Sequence, residues 1–225
     1  MTIPPPPTGT STPAPPSFTE RGALLKKSAK IFCCFQVILY LCDMRGTLYS
    51  IGHGNKGIEQ FIQELQSFDI QYLADVRSKP YSKWNPEYNQ APLKVRMSEA
   101  GVTYVYMGDV LGGIPVDSSC YTDGHIDYSK MAEKETFIKG LQRLITANDK
   151  QINLAVMCSE SEPSMCHRSK LIGQELMKRG IMMNHIVGIG VVKSQQSIIC
   201  ELNKGYGLED LFGNQTVLMS RNKYI

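Results

Sequence analysis

The stretch INLAVMCSESEPSMCHRSKLIGQELMKRG, residues 152–180, decides how the chain is read. Residues 152–157 form a short apolar run of the kind that makes a buried strand, and Cys158-Ser159-Glu160 opens a polar loop. Cys166-His167-Arg168 then starts a segment of helical periodicity that reaches about Arg179 and stops at Gly180, a residue suited to the left-handed turn that closes helices. Backbone amides at such a helix start favour an anion or a thiolate. A cysteine placed there, beside His and Arg, can therefore be acidified for nucleophilic or redox chemistry.

The same order of strand, loop and helix repeats upstream. Residues 48–52 read as a strand, and 58–68 as a helix with Ile58, Phe61, Ile62 and Leu65 on one face. Residues 71–76 read as a second strand, 92–100 as a helix ending at Gly101, and 102–107 as a third strand. A long helix over 128–146 precedes the quoted stretch, and a strand near 182–187 follows it. Alternating strands and helices predict a single three-layer α/β domain, a mostly parallel sheet with helices on both faces. Ligands of such sheets bind beyond the carboxyl ends of the strands. The residues that follow each strand are therefore the candidates.

After the first strand come Gly52-His53-Gly54-Asn55, and after the second Asp75-Val-Arg77-Ser-Lys79-Pro80. Gly108-Asp109 and Leu111-Gly112-Gly113 follow the third, and Cys158-Ser-Glu160 the fourth. His53 has an ordinary pKa suited to proton transfer, or it bonds across its loop. Asp75 is a general base, an orienter of an imidazole, or a partner of Arg77 or Arg168. Lys79, Tyr81, Lys83, Trp84 and Tyr88 interleave charge and aromatic rings, as a stacked base and a phosphate require, or form an ordinary exposed loop. Gly112 and Gly113 allow a tight turn against a ligand, or simply a turn. Cys158, Cys166 and His167, with His53, supply soft donors for a metal, although the spacing matches no paired C-x-x-C zinc pattern. Otherwise the cysteines are small buried hydrophobes. His185, within an apolar run, reads as a satisfied core histidine, and His125 as a surface residue without a partner.

The formal charge of +3, from 24 basic and 21 acidic residues, gives little long-range attraction for nucleic acid or anionic membrane. Seven cysteines without framework spacing, and no cleavable signal sequence, point to a reducing, cytoplasmic setting. Residues 1–20, rich in Pro, Thr and Ser, read as disordered. Residues 21–43 add Arg21, Lys26, Lys27 and Lys30 and an apolar run over 31–42, shorter than the roughly 20 residues of a membrane span. That segment is an amphipathic anchor, a packing helix, or sequence upstream of a start at Met44. The expected domain covers residues 44–225.

Together the ordered motifs resemble the family called domain of unknown function 488, across about residues 47–190. They are LYSIGHGN (48–55), LADVRSKP (73–80), LGG (111–113), MCSE (157–160) with CHR (166–168), and NHI (184–186). Members often have Ser where this chain has Gly54 and Ala where it has Ser159; both are small. The resemblance implies a compact α/β domain with a shared polar site, and no activity. The residues themselves lead to an enzyme acting on a nucleotide or a nucleic-acid base by hydrolysis or group transfer. Glu160 or Asp75 would be its carboxylate, His53 and His167 its proton carriers, and Arg77 and Arg168 its phosphate clamps. The alternatives are thiol or sulfur-transfer chemistry at Cys158 or Cys166, and a metal- or ligand-binding regulatory module without turnover.

Overall fold

The computed structural model describes residues 48–202 and 218–224. The readings of residues 1–43, of Met44 as a start, and of most of the segment from 205 onward lie outside the described residues.

In chain order the elements are β1 (Leu48–Gly52), α1 (Ile58–Gln66), β2 (Tyr72–Asp75), α2 (Gln90–Glu99), β3 (Thr103–Tyr106) and the single turn α3 (Gly108–Leu111). They continue with β4 (Tyr121–Thr122), β5 (His125–Asp127), α4 (Tyr128–Ala132), α5 (Glu135–Asp149) and β6 (Leu154–Cys158). A π-helical turn, Arg168–Gly173, runs into α6 (Gln174–Met177), followed by β7 (Asn184–Gly188), β8 (Val191–Ser194), α7 (Gln195–Leu202) and β9 (Met219–Lys223). The main sheet has the order β3-β2-β6-β1-β7-β8. Its first five strands are parallel, and β8 turns back antiparallel on β7.

All five residues of β6 are buried, as expected of a central parallel strand covered on both faces. Its side chains alternate between two apolar clusters. Leu154, Val156 and Cys158 join the cluster built with Leu141 and Leu144 of α5 and with Leu171 and Leu176. Ala155 and Met157 join Phe61 and Leu65 of α1 and Leu93 and Met97 of α2. Helices thus cover both faces, and the chain is a mostly parallel α/β domain. Among the described residues no helix is long and apolar enough to cross a membrane.

Two predicted helices differ in detail. The span 128–146 is two helices, because Asp127 caps the first through Ser129 N and Lys130 N, and the turn closes with Lys134 N donating to the Met131 carbonyl. Tyr128, Met131, Phe137 and Leu141 all stay buried in one cluster, so their apolar pattern hides the break. The helix after Cys166 begins as a π turn, closely backed by Gln195: a Cβ on Gly173 would lie 2.3 Å from the Gln195 Oε1.

The segment around His125 is a hairpin, β4 and β5, and β9 completes it as a three-stranded antiparallel sheet. His125 has a partner there, the Ser220 carbonyl at 3.0 Å from its Nδ1.

His185 is fully buried in β7, between Ser50 Oγ at 2.6 Å from Nδ1 and Gln195 Oε1 at 2.7 Å from Nε2. Nε2 donates to the amide oxygen, and Nδ1 accepts from the hydroxyl. Burial pushes its pKa down to about 3. The folded protein therefore holds His185 neutral where the unfolded chain, with a pKa near 6.5, takes up a proton. This contribution to stability is complete above pH 6.5 and falls away as the pH drops towards about 3, by up to about 1.4 kcal/mol per pH unit. Urea titrations between pH 7 and pH 4 (roughly the window that this linkage affects) are expected to show that loss, and His185→Gln is expected to flatten the slope.

Candidate active site

The loops after β1, β2 and β6 lie side by side because β6 is inserted between β1 and β2 in the sheet. Pairing continues past the strand ends. His53 N donates to the Cys158 carbonyl at 3.1 Å, and Gly54 N to the Ser159 carbonyl at 2.9 Å. A Cβ on Gly52 would lie 1.9 Å from the Glu160 carbonyl oxygen, so only glycine admits this approach. Gly54 has φ +53, in the left-handed region.

Arg168, buried at 1% exposure, holds the far side of the same loop. Its NH1 donates to the Glu160 carbonyl at 2.5 Å and its NH2 to the Ser161 carbonyl at 2.8 Å. Asp75 and Arg77 form a bidentate pair, Nε to Oδ1 at 2.9 Å and NH2 to Oδ2 at 2.6 Å, both side chains buried. Tyr104 Oη also donates to Asp75 Oδ2 at 2.7 Å, and Arg77 NH2 to the Tyr88 carbonyl at 2.7 Å. These partners occupy both Asp75 oxygens and two of the three Arg77 nitrogens. Asp75, Arg77 and Arg168 therefore stand as supports of the loops. The bonds to both Asp75 oxygens stand against the general-base role expected for it, while Arg77 borders the cleft with its NH1 outside these bonds.

A polar cleft of about 580 Å³ lies above this frame. Cys158, Cys166 and His167 are part of its lining, exposed by 6%, 2% and 7%. His167 Nδ1 stands 3.8 Å from Cys158 Sγ and 3.7 Å from Cys166 Sγ. The imidazole packs on Gly113, where a Cβ would lie 2.7 Å from the ring. The neighbouring Cys166 thiol holds the Cys158 pKa well below the ordinary thiol value; nearby His167 and Arg168 add to it, and burial opposes it. Burial raises the Cys166 thiol in turn.

His53 also lines the cleft, with its ring stacked on Tyr88 at 4.3 Å and its Nδ1 donating to the Gly54 carbonyl at 2.9 Å. Burial lowers its pKa, which leaves Nε2 a neutral acceptor. Among the described residues the donors gathered within 4.8 Å of one another are those of Cys158, Cys166 and His167. His53, expected as a fourth soft ligand, is held apart by Tyr88 and Gly54.

Asn55, Lys79 and Glu160 are exposed on the cleft walls. Gly112 stands behind, where a Cβ would meet the Gly108 carbonyl at 2.3 Å. Arg221 and Tyr224 close the remaining side, and Tyr128 lines the cleft too. The sequence reading missed all three. Nothing local marks Arg221, which reaches the cleft only because β9 pairs with β5. Tyr128 heads a helix that reads as structural.

A family model described as Domain of unknown function DUF488 matches residues 57–174. No curated protein and no solved structure matches the chain.

Alkylation with iodoacetamide across a pH series, followed by peptide mass spectrometry, is expected to modify Cys158 ahead of Cys120, whose thiol burial pushes up. The Cys158 midpoint is expected below that of an ordinary thiol, about 8.5. Cys166→Ala is expected to move it upward.

Proposed function

The chain belongs to the domain of unknown function 488 family, and we propose that it is an enzyme that hydrolyses, or transfers a group from, a nucleotide, free or within a nucleic acid. The observation that carries this reading is the cluster Cys158, Cys166 and His167 on the lining of a polar cleft of about 580 Å³. That volume lies in the usual range for small-molecule sites, about 300–1,000 Å³.

The walls suit an anion. Lys79 and Arg221 bring positive charge to the opening, and the exposed ring of Tyr81 stands beside them for stacking. Glu160 is the carboxylate placed to move a proton, because Asp75 is bound into its pair with Arg77. His53, neutral and with Nε2 as acceptor, is a second proton carrier. Cys120, Cys158 and Cys166 are present as thiols, which suits a reducing compartment such as the cytoplasm.

A second reading, thiol or sulfur-transfer chemistry, is favoured by the lowered pKa of the Cys158 thiol and by His167 Nδ1 at 3.8 Å from its sulfur. In that case Cys158 itself attacks the substrate, and a covalent adduct forms on it.

The full chain, incubated with pooled nucleotides and short RNA and DNA, tests the first reading by chromatography and mass spectrometry. At least one species is expected to be consumed. Glu160→Gln is expected to lower kcat, and Lys79→Ala or Arg221→Ala to raise KM by roughly tenfold, the loss of one charge-assisted contact. Consumption of nothing in the pool would sink the nucleotide reading. A mass increase on Cys158 during turnover would favour the thiol reading over it.

A further inference from the structure

We propose that Cys158, Cys166 and His167 bind one divalent metal ion of the zinc type, with a fourth coordination position open to the cleft. The inference deepens the reading of this cleft as the reacting site and rests on it.

The donor set is borderline-soft, two thiols and one imidazole, which suits zinc better than the oxygen-seeking magnesium or calcium. All three side chains are buried, and their donor atoms lie within 4.8 Å of one another. Zinc–sulfur bonds of about 2.3 Å and zinc–nitrogen bonds of about 2.0–2.1 Å place sulfur and nitrogen about 3.5 Å apart on a tetrahedral edge. The two observed separations, 3.8 and 3.7 Å, are close to that edge. A small inward movement of the side chains completes the geometry.

The backbone holds the donors there without a metal. Cys158 ends β6, Cys166 closes the short 3₁₀ turn Pro163–Met165, and His167 precedes the π turn. Gly113 supports the imidazole, so that Nδ1 faces both sulfurs. His167 Nε2 is buried without a hydrogen-bond partner. The ring is therefore aimed by packing, and its one directed interaction is with the two sulfurs.

Three protein ligands and an open position are the pattern of catalytic zinc, whereas structural zinc is closed by four. His53 does not close this site, since Tyr88 and Gly54 hold it elsewhere. The open position faces the cleft that Glu160 also lines. In hydrolysis a metal-bound water would pass a proton to Glu160, and the resulting hydroxide would form the new bond to the substrate's electrophilic atom. As the bond to the leaving group breaks, that group takes the proton back from Glu160.

The test uses the full chain, stripped with a chelating resin under reducing conditions and titrated with Co²⁺ and then Zn²⁺. One ion per chain is expected (about one equivalent at saturation), with thiolate-to-cobalt charge-transfer absorption and the strong visible bands of a tetrahedral site. Zn²⁺ should displace the cobalt and protect Cys158 and Cys166 from alkylation. Cys158→Ser, Cys166→Ser and His167→Ala should each weaken binding by more than about a hundredfold, the upper end of what loss of an outer-shell partner costs. Cys120→Ser should leave it unchanged. If a ligand variant fails to fold, the cobalt spectrum and the alkylation protection of the unaltered chain still decide the matter. Less than about a tenth of an ion per chain at micromolar zinc, a cobalt spectrum without thiolate charge transfer, or full affinity in folded His167→Ala would overturn the metal site. A chain that binds zinc but consumes no nucleotide overturns the functional reading alone, and one that turns over nucleotide while metal-free overturns the metal alone.

Discussion

The backbone pairing of the β1 and β6 strands does not stop where the strands end, and the site depends on that continuation. His53 N reaches the Cys158 carbonyl, Gly54 N reaches the Ser159 carbonyl, and the absent side chain of Gly52 lets the Glu160 carbonyl come close. Two loops that would otherwise be mobile surface are thereby fixed to each other. Arg168 completes the arrangement from the helix side, because its guanidinium binds the carbonyls of Glu160 and Ser161. Hydrogen bonds from a charged donor contribute more than neutral ones, about 1.5–3 kcal/mol each. The first part of the loop after β6, from Cys158 to Ser161, is accordingly held from two sides.

A similar principle governs the second loop. Asp75 and Arg77 sit where removing either partner would leave a buried charge, a change that costs about 3–5 kcal/mol in other proteins. Such a pair adds little net stability over apolar packing, so its value here lies in what it orients. Arg77 bonds the Tyr88 carbonyl, Tyr88 stacks on His53, and Tyr88 Oη donates to the Lys56 carbonyl. The ion pair thus transmits the position of β2 to the ring of a cleft histidine on the neighbouring loop.

Much of this was legible in the sequence for specific reasons. The buried strands announce themselves as short apolar runs, and the rule that ligands gather beyond parallel strand ends brought Cys158, His53 and the Lys79 loop to one edge. Periodicity reports which face is buried, so it could not report the break at Glu133-Lys134, where both helices share an apolar cluster. Nor does a residue type tell whether its polar atoms are occupied: Asp75 and Arg168 look catalytic until their partners are known. Arg221 was out of reach altogether, since its place depends on β9 pairing with a hairpin far away in sequence.

What sets the floor of the cleft apart is a local lapse in polar satisfaction. Of the five buried side-chain atoms without a hydrogen-bond partner among the described residues, three belong to the consecutive residues His167, Arg168 and Ser169. They fall where the chain enters the π turn, the wide coil that often marks functional positions in helices. A π turn takes more residues per turn than an α-turn, so successive side chains fan out at a smaller angular step. Here the wider turn coincides with Arg168 pointing back to the loop while His167 points to the sulfurs. The unpaired atoms oppose stability, by about 1–3 kcal/mol for each buried polar group left unsatisfied. A fold that satisfies the Ser50–His185–Gln195 chain a short way along the same sheet does not lack the means to pair polar groups. Of the three unpaired atoms at residues 167–169, the one on the cleft lining is His167 Nε2, while Arg168 and Ser169 lie buried behind it.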